Sequence, residues 1–111
     1  MTYKRWDVVA VYFSFLEGDE AKKRPALIVS SDALCAAHGV CWAAMITTAK
    51  AGARPEDIPI TDAAKAGLPV ECVIRAPRLV TLSDLQISHR LGSLTPKDRN
   101  AVAALLKKYL P

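Results

Sequence analysis

The sequence has no apolar run long enough to cross a bilayer. Its longest, Val40–Ile46, falls far short of the ~20 residues a spanning helix needs. The polar start Met1–Arg5 lacks the apolar segment of a secretory signal, so the expectation is a cytoplasmic chain. Cysteine is sparse and odd in number. Cys35, Cys41 and Cys72 make neither a CxxC pair nor a His/Cys ligand spacing, which excludes a disulfide framework and predicts reduced, structural thiols. His38 and His89 stand alone, the carboxylates are scattered, and no HExxH occurs, so no metal site is expected. The five glycines, at 18, 39, 52, 67 and 92, form neither GxGxxG nor a phosphate loop, and no nucleophile elbow is present. Nucleotide-binding folds and serine hydrolases are thereby set aside.

What is present suits one small globular domain over residues 1–111. Apolar residues make up 51% and charged residues 23%, enough to bury a core and too apolar for intrinsic disorder. Fifteen Lys+Arg against eleven Asp+Glu leave a net charge of +4, which favours a polyanionic partner. No repeat or low-complexity segment occurs.

Trp6–Phe13 is β-branched and aromatic and predicts a first strand, with Val9, Val11 and Phe13 alternating against Val8, Ala10 and Tyr12. A polar hairpin loop, Glu17–Pro25, follows and ends in the cations Lys22, Lys23 and Arg24. Ala26–Ser30 is the expected return strand, Asp32–Gly39 a short helical turn, and Val40–Thr48 a buried third strand, together a meander. After a polar loop over Lys50–Asp57, Ile58–Ile60 suffices for a brief edge strand, and Thr61–Gly67 reads as one helical turn. Val70–Arg75 and Leu79–Leu82 are two apolar runs, with a bend or bulge expected at Ala76-Pro77-Arg78 because proline cannot donate to a ladder. Thr95 as N-cap, Pro96 at N1 and Asp98 at N3 open a final helix with an apolar stripe of Val102, Leu105, Leu106 and Tyr109. Lys107 and Lys108 suit its C-terminal dipole. Short strands closed by one amphipathic helix predict a curved sheet, mainly β with α, in the form of a small barrel.

The chemistry-bearing residues left over are cations: Lys22-Lys23-Arg24, and Arg75, Arg78 and Arg90 near expected strand ends. Cations on rigid strand ends can grip a phosphate backbone, and they can equally be a solvated loop and ordinary surface arginines. On residue types alone both readings stand. Trp42, inside an apolar strand, is expected in the core or at a dimer contact.

The order of four stretches adds a second argument. Asp7–Phe13, Gly18-Asp19-Glu20 and Arg24-Pro25-Ala26-Leu27-Ile28-Val29-Ser30 make a strand, an acidic-glycine loop and an Arg-Pro strand; Ala44–Thr48 is a buried strand ending in threonine. Val73-Ile74-Arg75 with Thr81-Leu82-Ser83-Asp84, then Arg90–Leu94, complete the series. Together they resemble the MazF/PemK (Kid) family of toxins from type II toxin–antitoxin pairs, along nearly the whole chain. The resemblance implies an SH3-like small β-barrel with a C-terminal amphipathic helix. It also implies a homodimer, metal-independent and cofactor-free cleavage of single-stranded RNA, and neutralisation by an acidic antitoxin. Carried over by position, the catalytic arginine falls on Arg24 and the catalytic threonine on Thr48, with Lys22, Lys23, Arg75 and Arg78 as RNA contacts.

Two departures matter. Where the PemK-like branch carries an aspartate two residues after an arginine, this chain has Pro77 after Arg75, so Glu20 or Glu17 becomes the acid/base candidate; no family motif points to His38 or His89. Trp6 stands where a glycine often opens the first strand, and is expected to pack or stack. Rival readings are a non-catalytic RNA-binding barrel and a gyrase-directed toxin of the same fold, which fold alone does not separate.

Overall fold

In a computed structural model, which describes residues 3–13 and 22–111, the run Asp7–Phe13 forms β1 and has a strand on each side. On one side is β2, Lys22–Ile28, in the register Val8↔Leu27 to Phe13↔Lys22. On the other is β6, Ile87–Ser93, whose ladder skips a residue twice, between Val8 and Val9 and between Ala10 and Val11. These bulges bend the strand and add local twist. The chain leaves β2 through α1, Asp32–His38, closed by Gly39 at φ 66°, and returns as β3, Val40–Thr48. β3 pairs with β2 and, for its whole length, with β5, Cys72–Ser83; β4, Ile58–Pro59, caps the far edge.

The result is a six-stranded antiparallel sheet of order β4-β5-β3-β2-β1-β6, open between β4 and β6 yet barrel-like in its curvature. The expected bulge in β5 is present. Ala44 pairs with Leu79 and Met45 with Arg75, so Ala76-Pro77-Arg78 loop out of the ladder and the two expected runs form one bent strand.

Two apolar clusters hold the sheet, one on each face. Val8, Leu27, Ala44, Ile46, Ile74, Leu94 and Val102 belong to the first; Val9, Val11, Ala26, Ile28, Cys41, Leu82 and Ile87 belong to the second. Double-sided burial explains why Val8–Val11 is continuously apolar, as strands covered on both faces are. All three thiols are free and buried, as expected.

The C-terminal helix α2, Pro96–Tyr109, begins as its capping residues predict: Thr95 Oγ1 accepts the Asp98 N–H at 3.3 Å. Val102 is fully buried in the first cluster, whereas Tyr109 is 59% exposed. Asp98 is 2% exposed and accepts from the Thr61 N–H at 2.9 Å and the Thr61 hydroxyl at 3.1 Å, tying the helix start to the end of β4. At the other end, Tyr109 Oη donates to Glu56 at 2.6 Å and Lys108 Nζ lies 3.3 Å from the same carboxylate. The helix therefore clamps residues 56–61 from both ends.

Three expectations change. β2 starts at Lys22 rather than Ala26, because the three cations continue the ladder opposite Val11, Tyr12 and Phe13 instead of lying in the loop. Thr61–Gly67 keeps its expected single turn, with the Ala66 N–H bonded to Asp62 O at 3.2 Å and the end closed by Leu68 N–H to Ala63 O at 2.9 Å. β6 was not anticipated as a strand. Trp42 is 48% exposed and so is not a core residue, which leaves the dimer contact as the standing half of that expectation.

Candidate functional site: a cationic ridge between two grooves

Strand alternation sorts the site residues. Ala26 pairs with Met45 and Leu27 with Ala44, so side chains of matching parity share a face across β2 and β3. Arg24 follows Ala26 on one face and Lys23 follows Pro25 on the other; likewise Thr47 follows Met45, and Thr48 follows Ile46. The consecutive threonines thus serve opposite sides of the sheet end.

Arg24 is exposed and borders two grooves. One, of about 450 Å³, is lined by Arg24, Met45, Thr47, Arg75, Arg78 and Leu79 among others. The second, of about 330 Å³, is lined by Lys23, Arg24, Thr48 and His89 over an apolar floor that includes Leu68 and Cys72. The structure brings the predicted residues Arg24, Lys23 and Thr48 together in the second groove, and Arg24, Arg75 and Arg78 in the first.

Their engagement differs. Arg75 is held: its guanidinium donates to the Gly52 carbonyl at 2.6 Å, and Nε lies 3.4 Å from Asp57 Oδ1, with only 14% of its side chain and 9% of Asp57's exposed. That buried Nε makes an ion-pair contact without hydrogen-bond geometry. Arg78 is exposed and thrust outward by the Pro77 bulge. A shallow continuation of the first groove joins Arg75 and Arg78 to Arg54. Lys23 Nζ sits 5.3 Å from the Tyr12 ring centroid, and the Tyr12 phenol is pulled below its ordinary value, first by a hydrogen bond from Ser88 and then by the Lys23 charge. Lys22 opens β2 opposite Phe13, while Glu17 and Glu20 lie outside the described residues. Among the described residues no group of His, Cys, Asp or Glu could hold a metal ion.

Sequence reasoning passed over Thr47 and Arg54, and set His89 aside because no family motif points to it. Thr47 was recoverable from alternation alone, since it follows Met45 on the face of Arg24. His89 was not, because its strand was unrecognised. His38, by contrast, caps the end of α1 and lines neither groove.

Comparison with known proteins bears on the fold and the family. No curated protein matches the chain in sequence at a significant level. Among solved structures, an endoribonuclease in complex with its cognate antitoxin from a mycobacterial species superposes with a TM-score of 0.76 at 22% identity, covering 99% of this chain and 98% of that one. The MazE–MazF complex of Deinococcus radiodurans gives 0.80 at 22% identity over 98% and 96%. The Mycobacterium tuberculosis toxin MazF-mt6 gives 0.70 at 20% over 92% and 93%. The model of the PemK-like, MazF-like toxins of type II toxin–antitoxin systems matches residues 4–110, and the chain belongs to that family.

Proposed function

We propose that the protein is an endoribonuclease toxin that cuts single-stranded RNA without a metal, acts as a homodimer in the cytoplasm, and is held in check by an acidic antitoxin. The observation that carries the reading is Arg24 on a ridge shared by two grooves, with a threonine hydroxyl and further cations on each side. A single strand laid across the ridge would place one phosphate at Arg24 and its neighbours in the two grooves. Arg75, Arg78, Lys22 and Lys23 are then the phosphate contacts.

Attack of a ribose 2′-hydroxyl on the adjacent phosphorus forms the O2′–P bond and breaks the P–O5′ bond, through a phosphorane carrying extra negative charge. No protein nucleophile is required; the demands are in-line positioning, charge stabilisation and proton transfer. Arg24 meets the second with a planar, permanently charged fork that can hold two phosphate oxygens, which a lysine does not reproduce. Thr48 is a neutral alcohol and a poor base, so its part is to hold a phosphate oxygen or orient the attacking hydroxyl.

Titrating RNA cleavage in EDTA with the wild type, Arg24→Ala, Thr47→Val and Thr48→Val tests this. Cutting that survives EDTA and falls at least ~100-fold in Arg24→Ala and in one threonine variant supports the reading. A folded wild type that binds RNA and leaves it intact overturns it in favour of a binding barrel. Neither binding nor cutting favours a gyrase-directed toxin. The antitoxin reading rests on the basic ridge, which suits an acidic segment folding onto it.

A further inference from the structure

Resting on the ribonuclease reading, we propose that His89 is the general base of the reaction, accepting the 2′-hydroxyl proton at Nε2 from the groove it shares with Arg24 and Thr48. The reaction needs an acceptor, and the described residues of that groove offer few. Lys23 and Arg24 are cations without a free lone pair, Thr48 is an alcohol, and Cys72 is a buried thiol. The imidazole is the side chain among them with a ring-nitrogen lone pair that can accept a proton.

The hydrogen bonds around the ring suit the tautomer that this role needs. Ser88 Oγ donates its one proton to Tyr12 Oη at 3.4 Å, and the same Oγ lies 3.0 Å from His89 Nδ1. With the imidazole hydrogen on Nδ1, the ring donates to Ser88 Oγ while the Ser88 proton goes to Tyr12, so both contacts are made at once. Nε2 then carries the lone pair. Tyr12 is in turn fixed by Lys23, so a chain from Lys23 through Tyr12 and Ser88 holds the ring at the groove. The β6 bulge between Ala10 and Val11, which sets His89 opposite Ala10 and skips Ser88, places both residues on this chain.

The step balances. The 2′-oxygen bonds to phosphorus as its proton passes to Nε2, the P–O5′ bond breaks, and the departing 5′-oxygen takes a proton from solvent water. The imidazolium returns its proton to solvent. The charged and titratable groups around the ring are Tyr12 and Asp7 from β1, Lys23 and Arg24 from β2, Cys72 from β5, and Arg90, paired with Asp7, beside it on β6. Thr48 and the Gly67–Val70 segment add no charge.

The test compares wild type, His89→Gln and His89→Ala on one RNA across pH, with unfolding midpoints as a control for folding. Expected are a fall in kcat of about 100-fold, loss of the limb along which the wild-type rate rises with pH, and partial rescue of His89→Ala by added imidazole. On an RNA whose scissile 5′-oxygen is replaced by sulfur the deficit should persist, because a thiolate leaves without help whereas the 2′-hydroxyl still needs its base. A deficit that disappears on the sulfur substrate makes His89 an acid and overturns the assignment. Unchanged rate and pH profile in His89→Gln give the proton to another group. RNA left intact by the wild type overturns the ribonuclease reading together with this one.

Discussion

Replacing Asp57 by asparagine removes one charge from the pair that anchors Arg75 while keeping the volume and an oxygen for the Arg54 N–H, which now bonds Asp57 Oδ2 at 2.9 Å. Two unit charges at the observed 3.4 Å attract by about 5 kcal/mol at an effective dielectric of ~20. Desolvation of both partners offsets much of this, and the Gly52 carbonyl still holds the guanidinium, so the net loss should be about 2 kcal/mol. With an unfolding entropy of roughly 2.1 cal/mol/K per residue over 111 residues, each kcal/mol moves Tm by about 4 °C. Asp57→Asn should therefore melt about 8 °C below wild type by circular dichroism. Arg75→Met should lose a comparable amount, and the double variant much less than the sum of the two, because the coupling is between those side chains. A Tm within 2 °C of wild type, or additive losses, would refute a buried clamp. Arg75 would then be an ordinary groove cation, and Asp57→Asn would be felt only in RNA affinity.

Other expectations follow from single positions. A Cβ on Gly92 would lie 2.3 Å from the Lys65 carbonyl oxygen, where backbone meets backbone, so Gly92→Ala should lower stability by more than about 2 kcal/mol in urea titrations; a smaller loss would mean the turn can move aside. Trp6 sits at φ 75° and packs on the first cluster, so Trp6→Gly and Trp6→Ala both lose that packing, yet glycine should be about 1 kcal/mol the more stable of the two. The reverse order would show that the backbone relaxes out of the left-handed region. Burial, reinforced by the neighbouring Cys35 thiol, pushes the Cys41 thiol up to about 12. Because the folded value lies above the unfolded one, this stabilising contribution is complete below pH ~9 and is lost on the way to pH 12, with a slope of at most about 1.4 kcal/mol per pH unit. Cys41→Ala should flatten the alkaline limb of a stability–pH curve, and an unchanged limb would place the titration elsewhere.

How much of this was legible in the sequence depends on whether local chemistry or long-range pairing decides a feature. The start of α2 could be read directly, because Thr95, Pro96 and Asp98 act within one turn. So could the β5 bulge, since Pro77 lacks a donor in any fold. β6 could not: Ser88, His89 and Arg90 dilute the apolar signal of an edge strand, and two bulges destroy the period of two on which recognition rests. That loss hid the place of His89 in the groove, which comes from pairing with β1. Lys22–Arg24 looked like loop because they are charged, yet the first strand's length carries the hairpin ladder out to them. Trp42, read as core or dimer contact, shows the opposite case. It lies in an apolar run, but beyond the cover of the first cluster its face of β3 meets solvent. Arg75 was legible as a cation, whereas its capture by Asp57 and Gly52 depends on a loop that folds back from β4.

The most direct test of the central claim is the chemistry of the new ends left on a single-stranded RNA incubated with the protein in EDTA. Attack by the 2′-hydroxyl under the Arg24 charge predicts a 2′,3′-cyclic phosphate on one fragment and a 5′-hydroxyl on the other, with both absent when Arg24→Ala is used. A 3′-hydroxyl and 5′-phosphate, or cyclic-phosphate ends formed equally by Arg24→Ala, would contradict it.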